Sequence, residues 1–400
     1  FSYDFYYEEV GVRMKGNTSR RHFYGDDGFY QNVHFKMSFG ETFDDEEEYA
    51  PEERKVWPDK TVRKARKDRT FGGMEKLDVK YNKNEDESYV KEVYAMKLFR
   101  DNGIVAPRAT LCAVSARNRD YEIKNLGVYT LYEAVDSVFL TRNFKNDDKG
   151  DLYKCGWSGD YGANLTRTVS NHGNALYGIE DELKGEFYVY DKKTNKKVVD
   201  AVGQRDFSSI TNFIEAVNSQ NANYAALIDT DYFARFEAVN YILGNPDCIR
   251  NNYNNYYIYF RPSDGKAIFI PYDYDRCFGI TKDWAPNNAC LELKPYDKRT
   301  SGYDQANPIY FNLIVDGAPS GEGSVCAKYR DYLSQLSKSE MLKSSEFDKV
   351  KNVYKAHYDE VTKTALGSNN TRFDANDTGN YSYSYYIEHK LEILKDNIDF

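Results

Sequence analysis

The chain is short of the residues on which many metal and redox sites are built. Its 400 residues include only 5 His and 3 Trp, so a histidine-based zinc centre has few ligands to draw on. Six cysteines, at 112, 155, 248, 277, 290 and 326, form no C-x-x-C pair, which excludes the common zinc-ribbon and thioredoxin signatures. A Cys248–Cys277 disulfide and buried free thiols are both open readings, since a chain of this length needs no crosslinks. No apolar run reaches the 18 residues expected of a membrane span. Positive charge is also in deficit: the net charge of -9 argues against a general nucleic-acid binder, which needs a basic face. The chain begins at Phe1 in strand-like sequence, so a leader or upstream region is expected to have been removed.

What the sequence has in excess is aromatic, with 37 Tyr and 23 Phe. Tyr-rich surfaces suit recognition, so a binding module working through its tyrosines is one reading. Strands are expected at 3–16, 33–39, 76–81, 107–114 and 127–131, and a helix over 85–102, with apolar Val90, Val93, Tyr94, Leu98 and Phe99 on one side and Gly103 as its stop. Between 41 and 69 an acidic block precedes a basic one, the pattern of a solvated insertion. Residues 147–202, rich in Gly, Asn, Asp and Lys, read as an insertion carrying little of the core. Helices are expected at 208–218 and 231–243, the second capped by Asp229 or Thr230, and four more close the chain between 309 and 399. DANDTG at 374–379 imitates the start of an EF-hand, but Tyr385 stands where the loop needs a bidentate Glu, so it reads as an Asx-rich turn.

The most informative stretch is AVNYILGNPDCIRNNYNNYYIYFRPSDGKAIFIPYDYDRCFG, residues 238–279. A helix turns at Gly244-Asn245-Pro246, and two runs form a hairpin around Ser263-Asp264-Gly265. Asp247 is followed five positions later by Asn252, the spacing of a kinase catalytic loop in which the Asp takes the hydroxyl proton and the Asn holds magnesium. Asp273 and Asp275 stand at the hairpin's far end, before Phe278-Gly279. Hard oxygen donors from two adjacent segments suit magnesium. Turn formation by Asn and Asp is the competing explanation. A two-carboxylate glycosidase using Asp247 with Asp273 or Asp275 is a further one, but the Asn cluster suits a metal better than a general acid.

In chain order VGVRMKGNTS, HFKMSF, DESYVKEVYAMKLFRDNGIVAPR, LGVYTLYEAVDSVFLTRNF, GDLYK, AVNYILGNPDCIRNNYNNYYIYF and FIPYDYDRCFG resemble the CotH family, named for a spore-coat protein and found in secreted, cell-surface and cellulosome-associated bacterial proteins. The resemblance implies an α+β, protein-kinase-like fold of two lobes: 1–128, β-rich with the helix 85–102, and 129–400, mainly helical, with the hairpin 245–279 and an insertion near 156–205. It implies a secreted or surface enzyme that uses ATP with Mg2+ or Mn2+ to phosphorylate protein hydroxyls, with secreted, cell-surface or cellulosomal proteins as partners, no nucleic acid and no membrane span. Asp247 becomes the catalytic base, and Asn252, Asp273 and Asp275 the metal ligands. Lys36 and Glu92 become the pair that positions the phosphates, and Glu133 and Tyr272 join Lys36 in nucleotide binding. The family often has Trp at the position of Tyr272 and His at that of Asn254, and this chain lacks a recognisable Gly-rich loop. The alternative within the same fold is a non-catalytic surface-binding module.

Overall fold

The computed structural model describes residues 4–16, 21–25, 28–40, 61, 65–66, 68–117, 122–169, 174–182, 189–191, 196–198, 207–280, 290–297, 307–315, 323–367, 373 and 382–398. Residues 41–60, which hold the acidic block and the start of the basic one, most of the turn at 16–19, most of the loop at 284–301 and the DANDTG segment lie outside the described residues. The chain is α+β with antiparallel sheets. It groups into two compact units: Phe1–Tyr89 with Pro107–Phe139 and Tyr354–Phe373, and Val90–Ala106 with Leu140–Val353 and Asp374–Phe400. This division is more interleaved than a single cut at 128/129, and it groups the helix after Tyr89 with the second unit.

The first unit is built on a five-stranded sheet in the order β1-β2-β3-β5-β4, with β1 Gly11–Lys15, β2 His34–Ser38, β3 Lys76–Tyr81, β4 Ala109–Ala116 and β5 Lys124–Glu133. Strand alternation gives the sheet two unlike faces. Phe35, Val79, Tyr81 and Tyr129 turn to one side and pack with Val33 and Leu126 in an apolar cluster. A cross-strand row of Arg13, Lys36, Asp78, Tyr132 and Ala109 occupies alternate positions.

Helix α1, Lys91–Asp101, opens the second unit and starts six residues later than the periodicity suggests. Glu85 and Tyr89 have φ of 56° and 59°, and the Asp86 carboxylate accepts from the amide and hydroxyl of Ser88, so the segment turns before it can coil. Helix α2 is Ser137–Phe144. A four-stranded sheet follows in the order β9-β8-β6-β7, where β6 is Leu152–Cys155, β7 Ile179–Asp181, β8 Tyr256–Phe260 and β9 Ala267–Pro271. Helix α3 is Ser208–Val217, and α4 is Thr230–Leu243, capped by Asp229 and ended by Gly244 in the left-handed region. The remaining long helices are α5 Val325–Ser337, α6 Ser344–Thr362 and α7 Tyr383–Asn397. The segment expected to be helical from 309 begins as a short α-helical turn and continues as a π-helix over Phe311–Val315.

Two expectations change. The segment 147–202 is not peripheral: β6 and β7 are half of the second sheet, and Leu152, Tyr153, Cys155, Ala163, Leu165, Val169 and Ile179 are fully buried. Loop-like composition hid them because short strands between turns carry little periodicity. The tyrosines, too, are largely interior. The largest fully buried side chains are all tyrosines, among them Tyr94, Tyr153, Tyr241, Tyr256, Tyr274, Tyr329 and Tyr386. Several buried tyrosine hydroxyls donate to backbone carbonyls, Tyr232 to Phe269 O at 2.8 Å and Tyr241 to Leu293 O at 2.9 Å. All six cysteines are free, so no disulfide joins Cys248 to Cys277.

Gly162 lies where an added Cβ would sit 2.3 Å from the Asn252 carbonyl oxygen and 2.5 Å from that of Tyr253. Backbone cannot move aside as a flexible side chain can. Gly162→Ala is expected to cost about 1–3 kcal/mol, as other overpacking changes do, read as a lowered midpoint in urea unfolding.

Candidate active-site loop

Helix α4 delivers the chain to the site. Its αL cap at Gly244 ends the helix sharply, and Asn245 brackets the turn that follows, accepting the Asp247 amide at 3.0 Å. Asp247 then stands at the head of a loop of asparagines. Its Oδ1 accepts from Asn252 Nδ2 and from Asn254 Nδ2, each at 2.9 Å. Asn255 Nδ2 donates to the Asp247 carbonyl at 3.0 Å and to the Asp273 carbonyl at 3.4 Å, and Asn245 Nδ2 also reaches the latter at 3.4 Å. The loop before β8 and the segment after β9 are therefore stitched by side-chain amides across the mouth of one hairpin.

Burial pushes the Asp247 carboxyl up, the Asn252 and Asn254 hydrogen bonds pull it down, and the negative charge of Asp273 pushes it up again. The upward terms win. Asp247 and Asp273 thus feel each other electrostatically, and Asp273, Asp275 and Asn252 all keep partial solvent access. Tyr253, Asn255 and Asp273 have φ of 55°, 58° and 58°, a conformation that costs non-glycine residues free energy unless the surroundings hold it.

The loop is buttressed from behind by the former insertion. Asn254 Oδ1 accepts the Trp157 amide at 2.8 Å, so this one side chain joins Asp247 to the short hairpin Trp157–Ser158/Tyr161–Gly162. Arg250, in the same loop, points inward. Its Nη1 donates to Glu237 Oε1 at 3.1 Å and to the Tyr329 hydroxyl at 3.2 Å, and its Nη2 to the Pro295 carbonyl at 2.9 Å. The guanidinium also lies over the rings of Tyr310 and Tyr241, 4.7 and 5.1 Å from their centroids.

The other sequence-identified residues are placed as follows. Lys36 is on β2 in the first unit, buried, with its Nζ 3.9 Å from Asp78; Lys15 reaches the same carboxylate at 2.5 Å. Glu133, at the end of β5, accepts the Arg108 amide at 3.1 Å and the Arg108 guanidinium at 3.4 Å. Glu92 is buried in the first turn of α1, in the second unit. Tyr272 is buried edge-on against Tyr257, with ring centroids 5.4 Å apart. The structure thus brings Asp247, Asn252 and the Asp273–Asp275 segment together in one unit, while Lys36 and Glu133 belong to the sheet of the other. Sequence reasoning missed Asp78, Arg250, Glu237 and Gly162. The two acids and the arginine gave no signal because their pairings cross strands or elements, and Gly162 gave none because its constraint is a backbone contact.

Among the described residues no three His, Cys, Asp or Glu side chains gather into a metal-holding group. The candidate donor set is different, two carboxylates and an asparagine, and such hard oxygen donors fit magnesium or manganese with positions left for phosphate and water.

A polar loop of Asp and Asn at the mouth of a hairpin, in an α+β chain with a separate β-rich unit, is the kind of site found in phosphoryl-transfer enzymes. Scanned against family models, residues 47–395 match the one described as CotH kinase protein. The chain belongs to the CotH kinase family. A search of curated proteins finds no match.

Because Arg250 and Glu237 are both buried, removing one partner leaves an uncompensated charge. Arg250→Ala is expected to destabilise the protein by about 3–5 kcal/mol, measured by chemical denaturation.

Proposed function

We propose that the chain is an ATP-dependent protein kinase that transfers the γ-phosphate to hydroxyl side chains of secreted or surface proteins, and that its two units correspond to the lobes of a protein-kinase-like fold. The carrying observation is the Asp247 carboxylate, held by Asn252 and Asn254 at 2.9 Å and electrostatically coupled to Asp273 within one hairpin. Family membership supports the same class of chemistry.

Asp247 orients the acceptor hydroxyl and takes its proton. Two amide donors on one carboxylate oxygen restrict its rotation, and its raised proton affinity makes it a stronger base than an exposed aspartate. Asn252, Asp273 and Asp275 would hold magnesium or manganese, which when bound supplies neutralisation of phosphate charge. The family likeness assigns Lys36 the positive charge for the phosphates, and Glu92, Glu133 and Tyr272 supporting roles at the nucleotide. The work required of these groups is placement and charge stabilisation, because phosphoryl transfer has a loose transition state.

The second reading, a binding module without catalysis, draws on Tyr272, whose ring is closed off by Tyr257 and offers little face to a purine. Under that reading magnesium and ATP leave the melting temperature unchanged. Under ours they raise it, since a ligand bound only by the native state stabilises it by about 2.7 kcal/mol at 100 times its Kd.

Asp273→Ala is expected to abolish transfer of labelled phosphate while preserving the circular dichroism spectrum; wild-type transfer by that variant would reject the metal assignment. Asp247→Asn should cut turnover by about 10²- to 10⁴-fold. Its stability should hold or rise, because burial raises the carboxyl's pKa and its ionised form therefore opposes folding above that pKa. A pH–rate profile shared by wild type and Asp247→Asn would remove Asp247 from the role of base.

A further inference from the structure

We infer that Tyr274, the residue between the two acids of the Tyr-Asp-Tyr-Asp run, is a positioning residue for them, pinned by a buried relay that also anchors the Asp247 loop. The inference rests on the metal role proposed above for Asp273 and Asp275.

The relay is continuous. Arg250 Nη1 donates to Glu237 Oε1 at 3.1 Å, Asn240 Nδ2 donates to Glu237 Oε2 at 3.0 Å, and the Tyr274 hydroxyl donates to Asn240 Oδ1 at 2.9 Å. All four side chains are 1–2% exposed. Each polar contact therefore forms where water cannot substitute, and a chain of such bonds is stiff. Glu237 and Asn240 sit three residues apart on α4, on one helical face, so the helix acts as the bar between the two ends. One end is Arg250, three residues after Asp247. The other is Tyr274, whose ring also packs edge-on against Phe99 at 5.0 Å.

Tyr274 is buried while Asp273 and Asp275 on either side are partly exposed. Fixing the tyrosine inward therefore sets which way its neighbours project. It also bears on Asp273, whose left-handed φ of 58° persists only when the surroundings over-determine it. One helix thus holds the base loop and the acidic run at a common spacing, through groups that touch neither nucleotide nor metal.

The test uses the full chain with manganese and ATP, following retained Mn2+ by the loss of the free-ion electron paramagnetic resonance signal, with melting temperatures alongside. Tyr274→Phe keeps the ring and removes one hydroxyl, and it should weaken Mn2+ retention roughly tenfold, as changes behind a metal ligand commonly do. Asn240→Ala should weaken it too, and the double variant should lose no more than the worse single one, the mark of two residues acting through one connection. Tyr232→Phe is the control: it loses two interior hydroxyl bonds outside the relay, one donated to Phe269 O and one accepted from the Val105 amide. Its Mn2+ retention should match wild type. Wild-type retention by Tyr274→Phe, or an equal loss in Tyr232→Phe, would overturn the relay while leaving the kinase reading intact. A wild-type protein that holds no Mn2+ with ATP would overturn that reading and this inference with it.

Discussion

Placing one carboxylate near another in a half-buried loop is unfavourable, and the architecture of the second unit is organised around making it tolerable. Asp247 loses hydration and feels the charge of Asp273, yet it receives two amide hydrogen bonds in return. Four asparagines, Asn245, Asn252, Asn254 and Asn255, do the stitching with neutral donors, and the positive charge of Arg276 adds a smaller pull that favours the ionised Asp247. A lysine or arginine at those positions would neutralise the carboxylates and blunt their pull on a cation or a proton. The one arginine of the loop, Arg250, spends its charge inward on Glu237.

That arrangement needs rigid backing, and the tyrosine-rich interior supplies much of it. A tyrosine fills volume like phenylalanine but ends in a hydroxyl that must find a partner when buried. Tyr329 donates to the Pro295 carbonyl at 3.0 Å and also receives Arg250. Lys390 is likewise fully interior, donating to the carbonyls of Cys290 and Leu293 and lying 4.0 Å from the centroid of the Tyr241 ring. Burial brings its pKa down to about 7. The core around the loop is thus partly a hydrogen-bonded lattice, in which Tyr241, Tyr329 and Lys390 fix neighbouring backbone segments.

Much of this was legible in the sequence, and the remainder was not for identifiable reasons. The hairpin, the helix before it and its Asp229 cap followed from alternation, turn chemistry and capping preference, and the strand at 76–81 matched residue for residue. The Asp247–Asn252 spacing made their hydrogen bond legible because both ends of the contact lie within six residues of chain. The start of α1 was misjudged because apolar spacing continues through a turn that Asp86 and two left-handed residues impose. The weight carried by 152–181 was missed because its strands are short and β8, the partner of β6, lies some hundred residues on. Surface tyrosines were one of the readings, and many of the described tyrosines are interior, because composition alone does not say which rings are buried.

The six uncrosslinked thiols carry a consequence beyond the site. No covalent bridge shortens the unfolded chain, so the native state stands on packing, hydrogen bonds and ion pairs and draws nothing from disulfide loop closure. Maturation then requires neither an oxidant nor an isomerase, and glutathione or its disulfide has no bridge to break or reshuffle. The shape of these residues therefore does not hang on the redox poise around them.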